Sequence, residues 1–200
     1  SEVHEAVMTL LAIDRNDCEY SIFAPNDNQY HVVNHLTREE MKEPRNMLVE
    51  AARIARGQIR PIEECRVEDF DALVFPGGNG SAKNLFTYAV KGRKCTVRED
   101  VANLIRAFHA QHKPIGALCI APVMLAKVLG DITITVGNDE HTIADIQSFG
   151  TQHINTQQKE VISDKQNMIF TTPCYMLPAR ISDIADCAEN LIEAILDNIQ

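Results

Sequence analysis

The feature that most constrains this fold is an alternation of short apolar runs with amphipathic segments. The run FDALVFPGG (70–78) is apolar almost throughout and stops at Pro-Gly-Gly, which is typical of a strand buried on both faces. The segment REDVANLIRAFHAQHK (98–113) follows with apolar residues at helical spacing, and PIGALC (114–119) is the next strand-like run. Strands that alternate with helices form a parallel sheet covered on both faces. The sequence therefore predicts an α/β fold, a three-layer sandwich around a mostly parallel sheet.

The rest of the chain continues this pattern. The remaining predicted elements are a first helix (2–17), a strand (19–25), a helix (45–57), a helix (121–130), a strand (131–137), a short helix (142–150), a strand hairpin (160–172) and a closing amphipathic helix (181–199). We predict a single domain over residues 1–200. Because a doubly wound sheet normally opens on a central strand and this chain opens in helix-like sequence, we expect its first N-terminal strand to be missing.

Composition excludes several classes of protein. The net charge is −9, and no Lys/Arg cluster stands out, so binding to nucleic acid or to anionic lipid is disfavoured. No apolar run reaches the roughly 18–20 residues of a membrane helix. The six cysteines form no CxxC pair, which argues for a reducing compartment and against a disulfide framework or a structural zinc. We therefore predict a cytoplasmic protein. His31 and His35 have metal-site spacing but no apparent third ligand, so no metal is expected.

Two strand ends carry the residues suited to chemistry, VFPGGNG (74–80) and GALCIAP (116–122). In open parallel sheets, ligands bind beyond the carboxyl ends of the strands. Cys119 has alanines on either side at a spacing of two, as in a strained nucleophile elbow, where the turn pushes the thiol out of the sheet. The following helix N-terminus is expected to lower the thiol pKa. Backbone N–H groups of Gly77-Gly78 and of Ile120 could form an oxyanion hole. The alternative is a plain Pro-Gly-Gly turn with a cysteine that only packs.

These motifs resemble a known group of proteins. FPGGNGSAKNL followed along the chain by KPIGALCIAPVML resembles the DJ-1/PfpI superfamily, and RNMLVEAARIARG narrows the resemblance to its ES1 branch, the ElbB-like or isoprenoid biosynthesis glyoxalase-like proteins. The resemblance covers essentially the whole chain. It implies a flavodoxin-like, class I glutamine amidotransferase-like fold, a homodimer and no cofactor. It also implies a glutathione-independent glyoxalase that converts glyoxal or methylglyoxal to a 2-hydroxy acid, with weak deglycase activity in some members.

The resemblance assigns roles to particular residues. Cys119 matches the nucleophile, and Gly78 and Ile120 match the residues whose amides form the oxyanion hole. Glu5, in the sequence Glu5-Ala6-Val7, matches the acidic partner that moves a proton, although Glu2 lies on the same helix face and is the alternative.

The sequence also departs from the wider superfamily. Ile120 stands where protease-like members carry a His, and no His-x-Glu triplet follows Cys119, so amidotransferase activity is disfavoured. Asp139 and His141 lie nearest the place of the DJ-1 histidine, and Cys174 follows a strand that could line the same pocket; these three are accessory candidates. A non-enzymatic redox-sensing or protective protein that uses the same oxidisable cysteine is the alternative function.

Overall fold

The structure is a computed structural model that describes residues 1–199, and its elements follow the predicted alternation. The helices are α1 (Val3–Arg15), α2 (Met47–Ala51), α3 (Asn79–Asn84), α4 (Tyr88–Lys91), α5 (Glu99–Ala110), α6 (Pro122–Leu129), α7 (Glu140–Gln147) and α8 (Ile181–Leu196). The strands are β1 (Phe23–Ala24), β2 (Val32–Val33), β3 (Glu40–Met41), β4 (Arg60–Pro61), β5 (Leu73–Phe75), β6 (Ile115–Leu118), β7 (Thr133–Ile134), β8 (Gln152–His153), β9 (Ile162–Asp164) and β10 (Ile169–Thr172).

The chain divides into two units, and residues 1–19 together with the chain from 67 onward form the larger one. Its main sheet has the strand order β5-β6-β10-β9, in which β5, β6 and β10 are parallel and β9 is antiparallel to β10. Every residue of β6 and β10 is buried, whereas only Phe75 is buried in β5, so the strand predicted to be buried on both faces is only partly covered. The predicted hairpin of β9 and β10 is confirmed. A separate parallel pair is formed by β7 and β8.

The closing helix α8 packs against α1, β6 and β10. Its buried residues lie on one helical stripe, which holds most of the apolar core on this side of the sheet. The approach is close at β6, because a Cβ on Gly116 would lie 2.7 Å from Ile195 Cδ1. Burying each large apolar side chain of such a stripe stabilises the fold by about 1.5–3 kcal/mol.

Residues 20–66 form the smaller unit. It contains the parallel pair β1-β4, the antiparallel pair β2-β3 and the short helix α2. The predicted helix over 45–57 is too long, because α2 ends at Ala51 and turns follow. None of the α2 residues is buried, so little packing is available to extend the helix. The single domain over 1–200 and the first strand ahead of it stay predictions.

Candidate active site

Cys119 lies in a sharp turn between β6 and α6. Its φ of 58° is in the left-handed region, which is strained for a residue with a Cβ. Its backbone N–H donates to Thr172 O at 3.0 Å, which ties the turn to the end of β10. The flanking residues Ala117 and Ala121 are completely buried, so the turn has no room for larger side chains. Cys119 itself is 6% exposed and lies at the carboxyl end of the sheet.

The Pro-Gly-Gly loop after β5 packs directly on this turn. A Cβ on Gly77 would lie 2.6 Å from Leu118 O and 2.8 Å from Cys119 Cβ, so only glycine allows this approach. Gly78 has φ 92° and ψ 163°, a conformation essentially confined to glycine. A Cβ there would lie 2.5 Å from the backbone nitrogen of Glu2, so the start of α1 covers the loop.

Helix α1 places a carboxyl group in this site. Glu5 is completely buried, and its Oε2 accepts a hydrogen bond of 2.8 Å from Gly77 N–H. Its Oε1 is buried without a hydrogen-bond partner among residues 1–199, and the carboxyl group and the Cys119 thiol are close enough to shift each other's pKa. Glu2 has a different position: its carboxylate caps α1 by accepting from Glu5 N–H at 2.8 Å, and its own N–H donates to Gly77 O at 2.9 Å. The structure thus brings Glu5, rather than Glu2, to the cysteine.

Burial dominates the protonation of this pair. It raises the pKa of Glu5 to about 7, and the hydrogen bonds from Cys119 and Gly77 offset only part of that effect. Burial and then the neighbouring Glu5 carboxylate raise the pKa of the Cys119 thiol as well. The prediction of a lowered thiol pKa is therefore wrong, because desolvation and a like charge outweigh the helix N-terminus. Near neutral pH the cysteine is a thiol whose proton Glu5 can accept.

Two backbone amides complete the arrangement. The N–H groups of Gly78 and Ile120 lie near enough to the Cys119 sulfur to favour its thiolate, which partly counteracts the rise in its pKa. Amides near a cysteine sulfur are also close to where an oxyanion forms when such a sulfur attacks a carbonyl. The site therefore brings together a thiol, a buried carboxyl group and two backbone N–H groups, which are the kinds of group that covalent chemistry on a carbonyl uses.

The accessory candidates Asp139 and His141 lie at α7. Asp139 is the N-cap of this helix, and its Oδ2 accepts from Thr142 N–H at 2.8 Å and from the Thr142 hydroxyl at 2.6 Å. These contacts keep the pKa of Asp139 low. His141 is largely exposed, 3.6 Å from Asp145, on the wall of a groove of about 440 Å³ whose lining does not include Cys119. The structure therefore gives Asp139 a capping role and His141 a surface contact.

The third accessory candidate, Cys174, lies closer to the nucleophile. It follows β10, is completely buried and also has a left-handed backbone, with φ 43°. The charges of Glu5 and Cys119 act on it and contribute to a raised pKa, although its hydrogen bond with Cys187 and its burial contribute more. Cys174 therefore borders the site from behind the sheet end without facing solvent.

The sequence analysis did not identify two residues beside the Cys119 site, His4 and Tyr175. The Tyr175 hydroxyl and His4 Nδ1 are hydrogen-bonded at 2.8 Å, and His4 is 4.0 Å from the Glu2 carboxylate. Tyr175 has a raised pKa, first from desolvation and then from the charges of Glu2 and Glu5, which places it beside the site. No motif marks this pair, because it joins α1 to a turn far along the chain. Its signal in the sequence is only the position of Tyr175 directly after Cys174.

Comparison with known proteins identifies the family of this chain. A sequence profile described as the DJ-1/PfpI family matches residues 2–171, and this chain belongs to that family. The mostly parallel sheet with its elbow cysteine is accordingly the flavodoxin-like, class I glutamine amidotransferase-like fold, and the predicted fold class is confirmed.

Individual relatives place the chain in the ES1 branch, as the sequence motifs predict. It is 37% identical over 207 residues to the ES1 protein homolog, mitochondrial, of Rattus norvegicus, covering 98% of this chain and 78% of the relative. It is also 37% identical to the human glutamine amidotransferase-like class 1 domain-containing protein 3, mitochondrial, covering 98% and 77%. A crystal structure of an isoprenoid biosynthesis protein with an amidotransferase-like domain from Ehrlichia chaffeensis is 36% identical, with a TM-score of 0.90, and the match covers 98% of this chain and 92% of that one.

The comparisons also correct one prediction. The rat and human relatives are named as mitochondrial proteins, so the predicted cytoplasmic location is wrong. Scattered cysteines indicate a reducing environment, but they do not distinguish one reducing compartment from another. In the part of the chain that the structure describes, no helix is both long and apolar enough to cross a membrane.

Proposed function

We propose that the protein is a glutathione-independent glyoxalase-like lyase that acts on small α-oxoaldehydes. The observation that carries this proposal is the buried Glu5 carboxyl, with a pKa of about 7, held by Gly77 N–H beside Cys119. Isomerising an α-oxoaldehyde requires one group that attacks the aldehyde and one that both takes and returns a proton near neutral pH. This pair supplies both functions without a metal or an organic cofactor.

The first step forms a thiohemiacetal. Glu5 takes the Cys119 proton as the sulfur bonds to the aldehyde carbon, and the carbonyl oxygen becomes an oxyanion. The N–H groups of Gly78 and Ile120, which lie near the sulfur, can donate to this oxygen and stabilise the developing charge. The oxyanion then takes the proton held by Glu5, which leaves the carboxylate free.

The second step moves a proton between two carbons. Glu5 removes the hydrogen from the former aldehyde carbon, and the electron pair forms a double bond to the neighbouring carbon. The hydroxyl proton of the thiohemiacetal passes to the oxygen on that neighbouring carbon. Returning the proton to that neighbouring carbon gives a hydroxy thioester of Cys119. Water attacks the thioester carbon, the carbon–sulfur bond breaks, and the 2-hydroxy acid leaves with the Cys119 thiol restored. The sum is one α-oxoaldehyde and one water converted to one 2-hydroxy acid.

Turnover of glyoxal and methylglyoxal by purified protein tests this proposal. Cys119→Ala should reduce turnover by about 10³-fold or more, because it removes the covalent intermediate. Cys65→Ala is the matched control, since Cys65 is a half-buried cysteine of residues 20–66, and the change should leave turnover as it is. No turnover in the unaltered protein, or equal losses in the two variants, would overturn the assignment.

A homodimer is proposed as well. Val3, Val7 and Leu11 form an exposed apolar stripe along α1, and subunit contacts commonly bury such surfaces. Light scattering should give twice the mass of one chain, and Val7→Asp should shift the protein toward monomer. A monomer at micromolar concentration would remove this part of the proposal.

A further inference from the structure

The groove beside α7 has a lining with binding chemistry of its own. Its volume is about 440 Å³, which lies in the range of small-molecule sites. The lining consists of residues 91–94, which end α4 and form the turn after it, and of His141, Ala144 and Asp145 from α7. None of these residues belongs to the Cys119 site, and the proposed glyoxalase reaction uses none of them.

The groove is positively charged in a chain whose net charge is −9. Lys91, Arg93 and Lys94 all line it and are exposed, and none of them forms an ion pair with a carboxylate among residues 1–199. Lys127 brings a fourth positive charge to the same turn, because its Nζ lies 3.5 Å from Arg93 O. Unpaired cations that line a concave surface raise the local concentration of anions.

The backbone of the turn holds these cations in place. Gly92 adopts φ 51° and ψ −136°, a conformation that a residue with a Cβ rarely takes. Its N–H donates to Tyr88 O, and its carbonyl accepts from Cys95 N–H at 2.9 Å. Cys95 is 1% exposed and Tyr88 is buried, so both ends of the turn are anchored in the core. A turn that is fixed before a ligand arrives loses less conformational freedom on binding.

The groove also contains one carboxylate that is nine-tenths buried. The Asp145 side chain is 8% exposed; its Oδ2 accepts from the Tyr88 hydroxyl at 2.9 Å and lies 3.6 Å from His141 Nε2. Its other oxygen, Oδ1, accepts no hydrogen bond from residues 1–199. A Cβ on Gly92 would lie 3.9 Å from Asp145 Oδ2, so the turn that carries the cations passes beside this carboxylate. An ionised carboxylate only accepts hydrogen bonds, so the ligand group that it can hold is a donor such as a hydroxyl.

We propose that this groove binds a small phosphate ester that carries a hydroxyl group. The phosphate pairs with Lys91, Arg93 and Lys94, and the guanidinium of Arg93 can donate two parallel hydrogen bonds to it. The hydroxyl of the ester donates to Asp145. Because the Asp145 carboxylate repels a phosphate, it orients the ester with its phosphate toward the turn and its hydroxyl toward α7.

Calorimetric titration of the purified protein with glycerol 3-phosphate at low salt tests the inference. We expect a dissociation constant below about 1 mM. Inorganic phosphate should bind about tenfold more weakly, because it cannot reach the cations and Asp145 together, and glycerol should not bind. Equal affinities for glycerol 3-phosphate and inorganic phosphate, or no binding of the ester at millimolar concentration, would overturn the inference.

A variant that removes the three cations tests where the ester binds. Lys91→Gln, Arg93→Gln and Lys94→Gln in one protein should weaken binding of glycerol 3-phosphate at least about tenfold, because the charge-assisted hydrogen bonds to the phosphate are lost. Glyoxal turnover should stay as it is, because none of these residues belongs to the Cys119 site. Unchanged affinity for the ester would contradict the proposed site.

The matched control removes the same number of charges elsewhere. Lys42, Arg66 and Lys165 are exposed and lie outside the groove. Changing all three to Gln should leave the affinity for glycerol 3-phosphate within about twofold at low salt, because charges that are distant from the groove are screened by solvent and ions. An equal loss of affinity in this control would show that binding follows net charge, and it would overturn the inference.

Asp145→Asn tests the orientation of the ester. It should remove most of the preference for glycerol 3-phosphate over inorganic phosphate, because the phosphate is no longer repelled from α7 and the strong acceptor for the hydroxyl is lost. A preference that persists in the folded variant would contradict the role of Asp145. If the variant does not fold, the comparison of the two ligands in the unaltered protein still decides, because it needs no substitution.

Discussion

The turns that follow β6 and β10 contain the same structural feature in two different environments. Each strand is followed within two residues by a cysteine with a left-handed backbone, Cys119 with φ 58° and Cys174 with φ 43°. Cys119 reaches the carboxyl end of the sheet and faces a carboxyl group and two amide N–H groups. Cys174 is completely buried and faces another thiol. The two cysteines therefore share a backbone conformation but differ in their surroundings. The difference comes from the groups that α1, the β5 loop and α8 place beside each thiol.

The largest effect is expected where α1 meets the β5 loop. Gly78→Ala should destabilise the protein by about 4 kcal/mol, because the new Cβ occupies a backbone conformation suited to glycine and collides with the nitrogen of Glu2. Displacing α1 also moves Glu5 away from Cys119, so turnover should fall in the protein that remains folded. Urea unfolding gives the stability, and the glyoxal assay gives the activity.

Gly150→Ala is the matched control for this change. Gly150 has a φ of 93°, close to the 92° of Gly78, but a Cβ there would meet nothing within 4 Å. Its cost should be about 1 kcal/mol, with turnover unchanged. An equal loss of stability in the two variants would mean that the contact between Gly78 and α1 adds nothing to the cost of the substitution.

The next effect concerns the pH dependence of stability. The pKa of Glu5 is about 7 in the folded protein and 4.5 ordinarily, so the folded state binds its proton more tightly. The stability from this bound proton is present in full below pH 4.5 and is lost as the pH rises through about 7. Glu5→Gln should therefore remove a decline of about 3 kcal/mol between pH 4.5 and 8. Urea unfolding across this range measures it.

The control for Glu5 lies on the same helix. Asp14 is an exposed carboxylate of α1, and Asp14→Asn should keep the decline. If the stability of Glu5→Gln declines with pH as much as that of the unaltered protein, the buried carboxyl of Glu5 does not have the raised pKa.

The smallest effect is expected at α7, which tests whether the site extends beyond these two strand ends. Asp139→Ala should cost about 1 kcal/mol through loss of the N-cap, and His141→Ala should cost less than that. Neither should change glyoxal turnover. Thermal unfolding and the glyoxal assay check both, and a loss of turnover of about tenfold in either variant would bring α7 into the site.

Sequence alone predicts those features that local patterns encode. The apolar runs predict β5 and β6, the polar turn at 164–167 predicts the hairpin that contains β10, and the spacing of Cys119 between alanines together with Pro-Gly-Gly predicts which strand ends meet. The helix over 45–57 is overestimated because its apolar residues lack a surface to pack on, which no local pattern records. The interaction between the Cys174 and Cys187 side chains could not be predicted from the sequence either, because the two residues come together only through the packing of α8.

The sequence predicted the wrong direction for the shift in the Cys119 pKa for a related reason. A helix N-terminus can be identified in a sequence, but the depth of burial and the charge of Glu5 depend on the closure of α1 over the loop. These two effects raise the pKa, and burial is the larger of them. Sequence motifs therefore predict which residues lie in this site. The pKa values of those residues depend on burial and neighbouring charges, which only the folded structure shows.

The close approach of Gly116 to Ile195 has a consequence for how such a chain can change over evolutionary time. An alanine at 116 collides with the tip of the Ile195 side chain, which is 2.7 Å from the position of the new Cβ, while Val74 and Leu191 are at ordinary contact distances. A shorter side chain at 195, such as valine, removes the obstacle. The two positions are therefore epistatic: the change at 195 opens the path to the change at 116, and the reverse order passes through a less stable intermediate. Substitutions in the strand that ends at Cys119 are thus constrained by the last turn of the closing helix.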